Sequence, residues 1–371
     1  MSAYGRALSG CSDLSQLRRR VDGPNKRQCR RQLPTAQHAT LPAEQTLPHR
    51  QRNLHQKAVK AFAPATIANL GPGFDWMGCA VEGEGDIVIA EACPDLPDGE
   101  VIIRSITGDD GRLPLVAATN CVGIAAIETI KLLGHVDCGV ALTLQKGLPL
   151  GSGMGSSAAS AAAGACAVNA LFGSPLTKEQ LILPGLASEA TVSGYHADNV
   201  APALLGGFVL VRSLQPLDLQ QLLFAKGDLY FVLVNPKFEA PTAEMRAVLP
   251  KMVPMTSAIH NSSMGASLVA GILTGNAALV GKSLDSDIII EPVRGPLIPG
   301  FAAVKAAANA AGAYGCTISG AGPTCVAVVD NPQLGQQVAE AMVKAFVQEG
   351  KLEVNSARVV KLDQEGARVL G

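Results

Sequence analysis

Aromatic side chains are scarce in this 371-residue chain: one tryptophan, four tyrosines and nine phenylalanines leave the core to be built from small aliphatic residues. No run of about eighteen uncharged apolar residues escapes interruption by glycine, which argues against a membrane span and predicts a soluble body. The nine cysteines form no Cys-x-x-Cys pair and have no histidine at zinc-ligand spacing, so buried reduced thiols are expected. Lysine is missing between Lys146 and Lys178, and acidic residues are missing between Asp137 and Glu179. Both gaps bear on the most informative segment of the chain.

A net charge of −1 hides an opposition. Residues 1–57 hold 11 Lys+Arg against 3 Asp+Glu, and the remainder holds 19 basic and 28 acidic residues. The acidity of the body argues against nucleic acid as a partner. In the leader, Arg18-Arg19-Arg20, Lys26-Arg27 and Arg30-Arg31 are interspersed with Gln, Ser and Pro, with hardly an apolar run. That composition suits an organelle transit peptide over residues 1–56, expected to be disordered; a basic tail contacting nucleic acid or an acidic partner is the alternative. No apolar h-region precedes it, which argues against a secretory signal.

The informative segment is Pro149-Leu150-Gly151-Ser152-Gly153-Met154-Gly155-Ser156-Ser157-Ala158-Ala159-Ser160. Alternate glycines let the backbone turn through positive φ and approach a ligand closely. The alanine-rich helix after them offers unpaired N–H groups and the positive end of its dipole, which hold an anion without a lysine. Ser156 and Ser157, in the first turn, suit a cap or a metal ion held by phosphates. A Walker A loop is excluded by the missing lysine, and a dinucleotide fingerprint by the missing acidic residue. A flexible glycine linker leading into a buried helix is the bland reading of such a loop.

The spacing elsewhere predicts strands at 58–63, 86–90, 100–104, 139–144, 208–211 and 228–234, and helices over 116–133, 155–171 and 178–190. A boundary is expected near residue 215, where Ser213-Leu214-Gln215-Pro216 breaks the periodicity. Beyond it, helices are expected near 241–248, 259–273, 300–311 and 333–348, with strands near 315–319, 324–330 and 355–361. Alternation this loose fits an α+β chain better than a doubly wound parallel sheet.

Two more glycine-rich stretches frame the loop. Pro64-Ala65-Thr66-Ile67-Ala68-Asn69-Leu70-Gly71-Pro72-Gly73-Phe74-Asp75 sets Asn69 and Asp75 about a tight turn, which those two residues would also serve merely to cap. Gly315-Cys316-Thr317-Ile318-Ser319-Gly320-Ala321-Gly322-Pro323-Thr324 is a strand breaking into a turn, by itself an ordinary hairpin signal. Between them, His196, Asp198 and Asn199 cluster after Gly194, and a lone histidine is otherwise a common hydrogen-bonded core group. Arg246 and Arg294 are two of the few arginines in the body, suited to a carboxylate or to surface ion pairs.

In this order the three stretches resemble the motifs of the GHMP small-molecule kinases, over about residues 58–365. The Asn-Leu-Gly-Pro-Gly-Phe-Asp form of the first resembles the homoserine-kinase branch. The resemblance implies an α+β, two-domain GHMP kinase fold: a ribosomal-protein-S5-like ATP-binding domain over 57–215 and a ferredoxin-like α/β sandwich over 216–371. It implies ATP held by Asn120, Pro149, Gly151, Ser152, Gly153, Met154, Gly155, Ser156 and Ser157, and Mg²⁺ held by Ser157 and Glu189. L-Homoserine would be met by Arg246 and Arg294 at its carboxylate and Asp75 at its ammonium, with Asn69, His196 and Asn199 orienting the rest. Where several relatives carry a catalytic aspartate, this chain has Asn199, so direct Mg-assisted transfer without a dedicated base is expected, with Asp198 as the rival base. A homodimer in the plastid stroma serving threonine synthesis is implied as well. A mevalonate- or sugar-type kinase and a non-catalytic sensor of ATP and an amino acid are the other readings, because a fold alone does not fix function.

Overall fold

The structure, a computed structural model, describes residues 54–192 and 194–371. The basic leader up to residue 53 lies outside the described residues. The chain from residue 54 onward is organised by two sheets. The first carries β1 (Ala58–Ala68), β2 (Met77–Cys93), β3 (Val101–Thr107) and β4 (Gly139–Gln145), with β5 (Phe208–Leu214), β6 (Leu217–Leu222) and β11 (Arg368–Leu370). Its order is β11-β1-β2-β4-β3, with β5 on the other half of β2 and β6 beside β5; only β3 and β4 run parallel. The second sheet is antiparallel, β10-β7-β9-β8, from β7 (Tyr230–Pro236), β8 (Gly315–Ile318), β9 (Cys325–Val329) and β10 (Val354–Lys361).

Helices α1 (Cys121–Leu133), α2 (Ser156–Leu171), α3 (Lys178–Val192) and α4 (Val200–Leu205) pack together over the first sheet. Alanine makes this possible. Ala158, Ala159, Ala161, Ala162, Ala163 and Ala165 are fully buried on several sides of α2, so its backbone lies close to its neighbours without large side chains. The remaining helices are α5 (Thr242–Ala247), α6 (Met255–Thr274), α7 (Ala277–Leu284), α8 (Glu291–Arg294), α9 (Phe301–Ala310) and α10 (Pro332–Gln348). Period-two alternation in β7 sends Phe231 and Leu233 into one core with Ile67, Met77, Leu268 and Val280, and Val232 and Val234 into another with Val304, Val338 and Met342. The first of these cores joins the two sheets, and Phe208 meets Phe231 there edge to face at 6.3 Å.

Differences from the sequence-based expectation have local causes. The expected strand at 86–90 is the second half of a 17-residue β2, whose first half is disguised by Gly78, Gly83, Gly85 and the pair Glu82 and Glu84. The register shifts between Pro64 and Ala65 at this point. The helix expected from 116 opens as a 3₁₀ turn at Ala117–Thr119 and becomes α-helical only at Cys121, with Asn120 as its cap. Helix α6 starts at Met255, four residues early, because Pro254 sets its entry. Strands β6 and β11 and helices α4, α7 and α8 were not legible from spacing.

Beneath the glycine loop lies a buried ion pair that positions it. Asp86, on β2, is fully buried; its Oδ1 accepts from the N–H groups of Gly147 (2.9 Å) and Leu148 (3.2 Å). Its Oδ2 accepts from Lys146 Nζ and from Ser160 Oγ at 2.6 Å, and Lys146 also donates to the carbonyl of Ser156 at 2.8 Å. One carboxylate thereby ties the end of β4, the start of the loop and the first turn of α2 together. Removing one partner of a buried pair strands the other's charge. Asp86→Ala is expected to cost about 3–5 kcal/mol in urea unfolding, and Asp86→Ala with Lys146→Met to recover most of that loss.

Candidate active site

A cavity of about 360 Å³ opens where the three glycine-rich stretches meet. Gly151, Gly153 and Gly155 take φ of 65°, 79° and 67°, so the loop turns left-handed at alternate residues and delivers the N-terminus of α2 to the cavity. Gly155 is the helix cap and offers no side chain, which leaves the first N–H groups of α2 facing the space where an anion would sit. Ser156 Oγ turns back to donate to the carbonyl of Leu148 at 3.2 Å, whereas Ser157 is half-buried on the cavity wall. Gly151, Ser152, Gly153 and Gly155 also line the cavity. Pro149 instead lines a neighbouring hollow, and Met154 points into the core.

The third stretch holds the loop from behind. A Cβ on Gly153 would lie 2.5 Å from the carbonyl oxygen of Ser319 and 2.7 Å from that of Gly322, so only glycine permits the approach. Ser319 Oγ donates to the carbonyl of Gly153 at 2.7 Å, and Thr324 Oγ1 donates to that of Ser152 at 2.6 Å. The first stretch joins at the same point. Asn69 Nδ2 donates to the carbonyl of Gly320 at 2.8 Å, and its Oδ1 accepts from the N–H of Asp75 at 3.0 Å. Asn69 thus lines the cavity while its amide shapes the turn that presents Asp75. Asn120 behaves in the same way: it lines the cavity, caps α1 through Val122 N–H at 3.1 Å and donates to the carbonyl of Pro114 at 2.8 Å.

Charged groups of both signs cover the opposite wall. Arg246, on α5, grips Asp75 with two hydrogen bonds, Nη2 to Oδ1 at 2.6 Å and Nη1 to Oδ2 at 3.1 Å. Arg294, on α8, is 2% exposed, donates through Nε to the carbonyl of Met245 at 2.8 Å and lies 4.8 Å over the ring of Phe74. Burial, with Arg246 nearby, pulls its guanidinium down to about 10, so it stays charged at neutral pH. His196 Nδ1 lies 3.8 Å from Asp75 Oδ1. Asp198 is 3% exposed and its Oδ1 has no hydrogen-bond partner among the described residues. Burial first, and then the charge of Asp75, push its carboxyl up to about 7. Its position depends on Gly78 on β2, where a Cβ would stand 1.8 Å from the Asp198 carbonyl oxygen.

Asn199 and Glu189 complete the wall. Thr66 Oγ1, on β1, donates to Asn199 Oδ1 at 2.7 Å. Asn199 lines the cavity, and with its oxygen accepting from Thr66 its amide N–H groups are left as its available donors. Glu189, on α3, is 4% exposed and lines the cavity together with Ser157. A buried carboxylate and a hydroxyl beside a helix N-terminus are hard oxygen donors suited to Mg²⁺ when phosphate oxygens and water fill the remaining positions. Among the described residues no group of three His, Cys, Asp or Glu side chains is placed to hold a metal ion.

Thr66, Asp86 and Lys146 escaped the sequence reading. An acidic residue inside the apolar run Asp86-Ile87-Val88-Ile89-Ala90 was the available signal for Asp86, and the place of Lys146 just before the loop was the signal for that lysine. Nothing in the sequence singles out Thr66, whose partner is 133 positions away.

Comparison with known proteins gives a consistent result. Residues 120–207 match the model of the GHMP kinases N terminal domain, and residues 268–348 that of the GHMP kinases C terminal. The chain is 58% identical over 314 residues to homoserine kinase of Arabidopsis thaliana, covering 84% of this chain and 85% of that one. It is 44% identical over 324 residues to homoserine kinase of Chlorobium phaeovibrioides, covering 85% and 100%. The crystal structure of homoserine kinase from Cytophaga hutchinsonii superposes with a TM-score of 0.80 at 41% identity, covering 85% of this chain and 98% of that one.

The Thr66–Asn199 contact generates a test. Thr66→Val frees the amide to rotate and is expected to lower kcat by about tenfold or more while the KM for each ligand stays within about threefold. Thr66→Ser, which keeps the hydroxyl, is expected to restore kcat. An equal loss in both variants would show that packing, not the hydroxyl, is what matters.

Proposed function

The chain belongs to the homoserine kinases of the GHMP kinase family, and from that premise we propose how its cavity works. The reaction moves the γ-phosphoryl group of ATP to the side-chain hydroxyl of L-homoserine, giving O-phospho-L-homoserine and ADP, a step of threonine synthesis. One observation carries the site assignment: Arg246, Arg294, Asp75 and Asp198 share a cavity with the N-terminus of α2, so a zwitterion pocket adjoins a phosphate site. Residues 57–215 serve as the ATP-binding lobe, with Asn120, the loop from Pro149 to Ser157 and the helix N-terminus as its contacts. Residues 216–371 form the second lobe, although β6 and β11 lie on the first sheet.

In this reading Arg246 and Arg294 take the substrate carboxylate, a geometry the guanidinium fork favours. Asp75 meets the ammonium, aided by Asp198, while Asn69 and His196 close the pocket. Asn199 donates to the hydroxyl oxygen and aims it in line with the γ-phosphorus. The O–P bond forms as the bond to the ADP oxygen breaks, and the hydroxyl proton passes to a γ-phosphate oxygen. An amide that presents donors accepts no proton, so rate comes from positioning and charge stabilisation, as a loose transition state allows. Ser157 and Glu189 would hold Mg²⁺, which when bound neutralises charge on the β- and γ-phosphates. A homodimer and a plastid address belong to this proposal. The basic, acid-poor leader and the resemblance to a plant relative support the address, and light scattering reads the assembly.

ADP release by the full chain with ATP and Mg²⁺ is expected with L-homoserine and not with mevalonate, galactose or L-threonine. Turnover on mevalonate or galactose would keep the phosphate loop and discard the amino-acid pocket. Silence with all four, in protein that binds ATP, would favour a sensor. The pH profile separates the roles of Asp198. Below about 7 it is protonated in the free protein, and ionisation adds a negative charge where the ammonium binds. So kcat/KM for homoserine is expected to rise with pH up to about 7 and then level off, with kcat nearly flat. Asp198→Asn should flatten the profile and retain kcat. Loss of kcat in that variant, with ATP binding intact and Asn199→Ala nearly silent, would instead make Asp198 the base.

A further inference from the structure

The free protein satisfies its two substrate-recognition charges with each other. Asp75, at the tip of the turn between β1 and β2, and Arg246, on α5, form a two-pronged pair whose side chains are 31% and 28% exposed. Around that pair two buried polar atoms have no hydrogen-bond partner among the described residues: a donor, Arg246 Nε, and an acceptor, Asp198 Oδ1. Both residues line the cavity. An unpaired buried donor and acceptor are costly to a folded protein unless a ligand supplies their partners. Arg294 leans on the same Phe74 ring as Arg246, at 4.8 Å and 5.6 Å, so a second cation flanks the first.

We propose that the Asp75–Arg246 ion pair is a placeholder for the substrate's own charges, which makes Asp75 a gate against hydroxy acids that lack an ammonium. The proposal rests on the homoserine reading above. A zwitterion enters by exchange: its carboxylate replaces Asp75 on Arg246, and its ammonium replaces Arg246 at Asp75 and beside Asp198. One ion pair, with its two hydrogen bonds, breaks and two ion pairs form, with no change in the charge of the site. A hydroxy acid whose carboxylate takes Arg246 brings no ammonium in exchange, and leaves Asp75 near Asp198 without the two-pronged partner it had. Taking one partner from a partly buried pair is the expensive direction, since the other's charge is left without its counter-ion. Rejection here comes from a charge made repulsive by the wrong ligand, and not only from a missing contact.

Two fragments of homoserine probe the exchange. 4-Hydroxybutanoate lacks the ammonium, and 3-aminopropan-1-ol lacks the carboxylate. Asp75 has a φ of 63°, a conformation asparagine adopts readily, so Asp75→Asn is compatible with the fold. In this variant kcat/KM for homoserine is expected to fall by about tenfold or more, and that for 4-hydroxybutanoate to rise by about tenfold or more. Arg246→Gln should do the reciprocal, raising the value for 3-aminopropan-1-ol. The single tryptophan, Trp76, adjoins Asp75, and its fluorescence reports fragment binding without turnover. Loss of homoserine turnover with no gain for either fragment in either variant would overturn the placeholder and reduce both residues to plain contacts. Wild-type protein that uses homoserine and 4-hydroxybutanoate equally well would overturn the gate alone. Wild-type protein that ignores homoserine and phosphorylates mevalonate would remove the substrate reading, and the gate with it.

Discussion

Everything functional here depends on the close approach of backbone to backbone at Gly153 and Gly320. The phosphate loop belongs to the first sheet and the turn behind it to the second. They touch with no side chain between them, because a Cβ on Gly153 would overlap the carbonyls of Ser319 and Gly322. At that contact Gly320 serves as a hub. Its N–H donates to the carbonyl of Ala68 at 3.1 Å, and its own carbonyl accepts from Asn69 Nδ2 at 2.8 Å and from Arg294 Nη1 at 3.3 Å. The glycine loop, Asn69 and Arg294 are all bonded to this junction, and Asp75 is held to it through Asn69. Reaction geometry is unforgiving at the level of an ångström, which is a physical reason for building the site on fused backbone and not on flexible side chains.

The charge plan reflects the same economy of side chains. Lys146 is the lysine closest to the loop in sequence, yet its ammonium is bound by Asp86, Ser160 Oγ and the Ser156 carbonyl. It therefore stiffens the loop and leaves the anion to the N–H groups and dipole of α2. Formal positive charge lines the cavity as Arg246 and Arg294, which share it with three carboxylates, Asp75, Asp198 and Glu189. Such a set is stable without ligand only when opposite charges are paired, which Asp75 and Arg246 achieve, or when one carboxyl holds its proton, which Asp198 achieves near neutrality.

How much of this the sequence disclosed depends on whether a residue's role is local. Glycines at 151, 153 and 155 are legible because a left-handed turn leading into a helix leaves few alternatives to glycine. Arg246 and Arg294 stood out only through family resemblance, since an arginine on a short helix carries no local mark. Asn120 lines the cavity, and its amide serves as a helix cap, a use its position before Cys121 would equally have suggested. Thr66 and Asp86 were missed because their meaning lies in partners 133 and 60 residues away. Strand β6 was hidden by its polar composition, Leu-Asp-Leu-Gln-Gln-Leu, which alternates too weakly to separate from a loop.

The Thr66–Asn199 hydrogen bond then decides what kind of catalyst such a junction can be. Thr66 is fully buried between the core residues Ala65 and Ile67, and the loop presses against it, since a Cβ on Gly155 would fall 1.9 Å from its hydroxyl oxygen. Its hydroxyl therefore touches the phosphate loop on one side and fixes the Asn199 amide on the other. In the proposed reaction, an amide held in that way would offer its N–H groups to the substrate hydroxyl, with its oxygen already accepting from Thr66. The proposed base-free transfer asks of such a site alignment above all. The rigid backbone junction, the buried carboxylate under the loop and the paired Asp75 and Arg246 are all order built in by folding, and the proposed transfer would draw on that order in place of reorganisation.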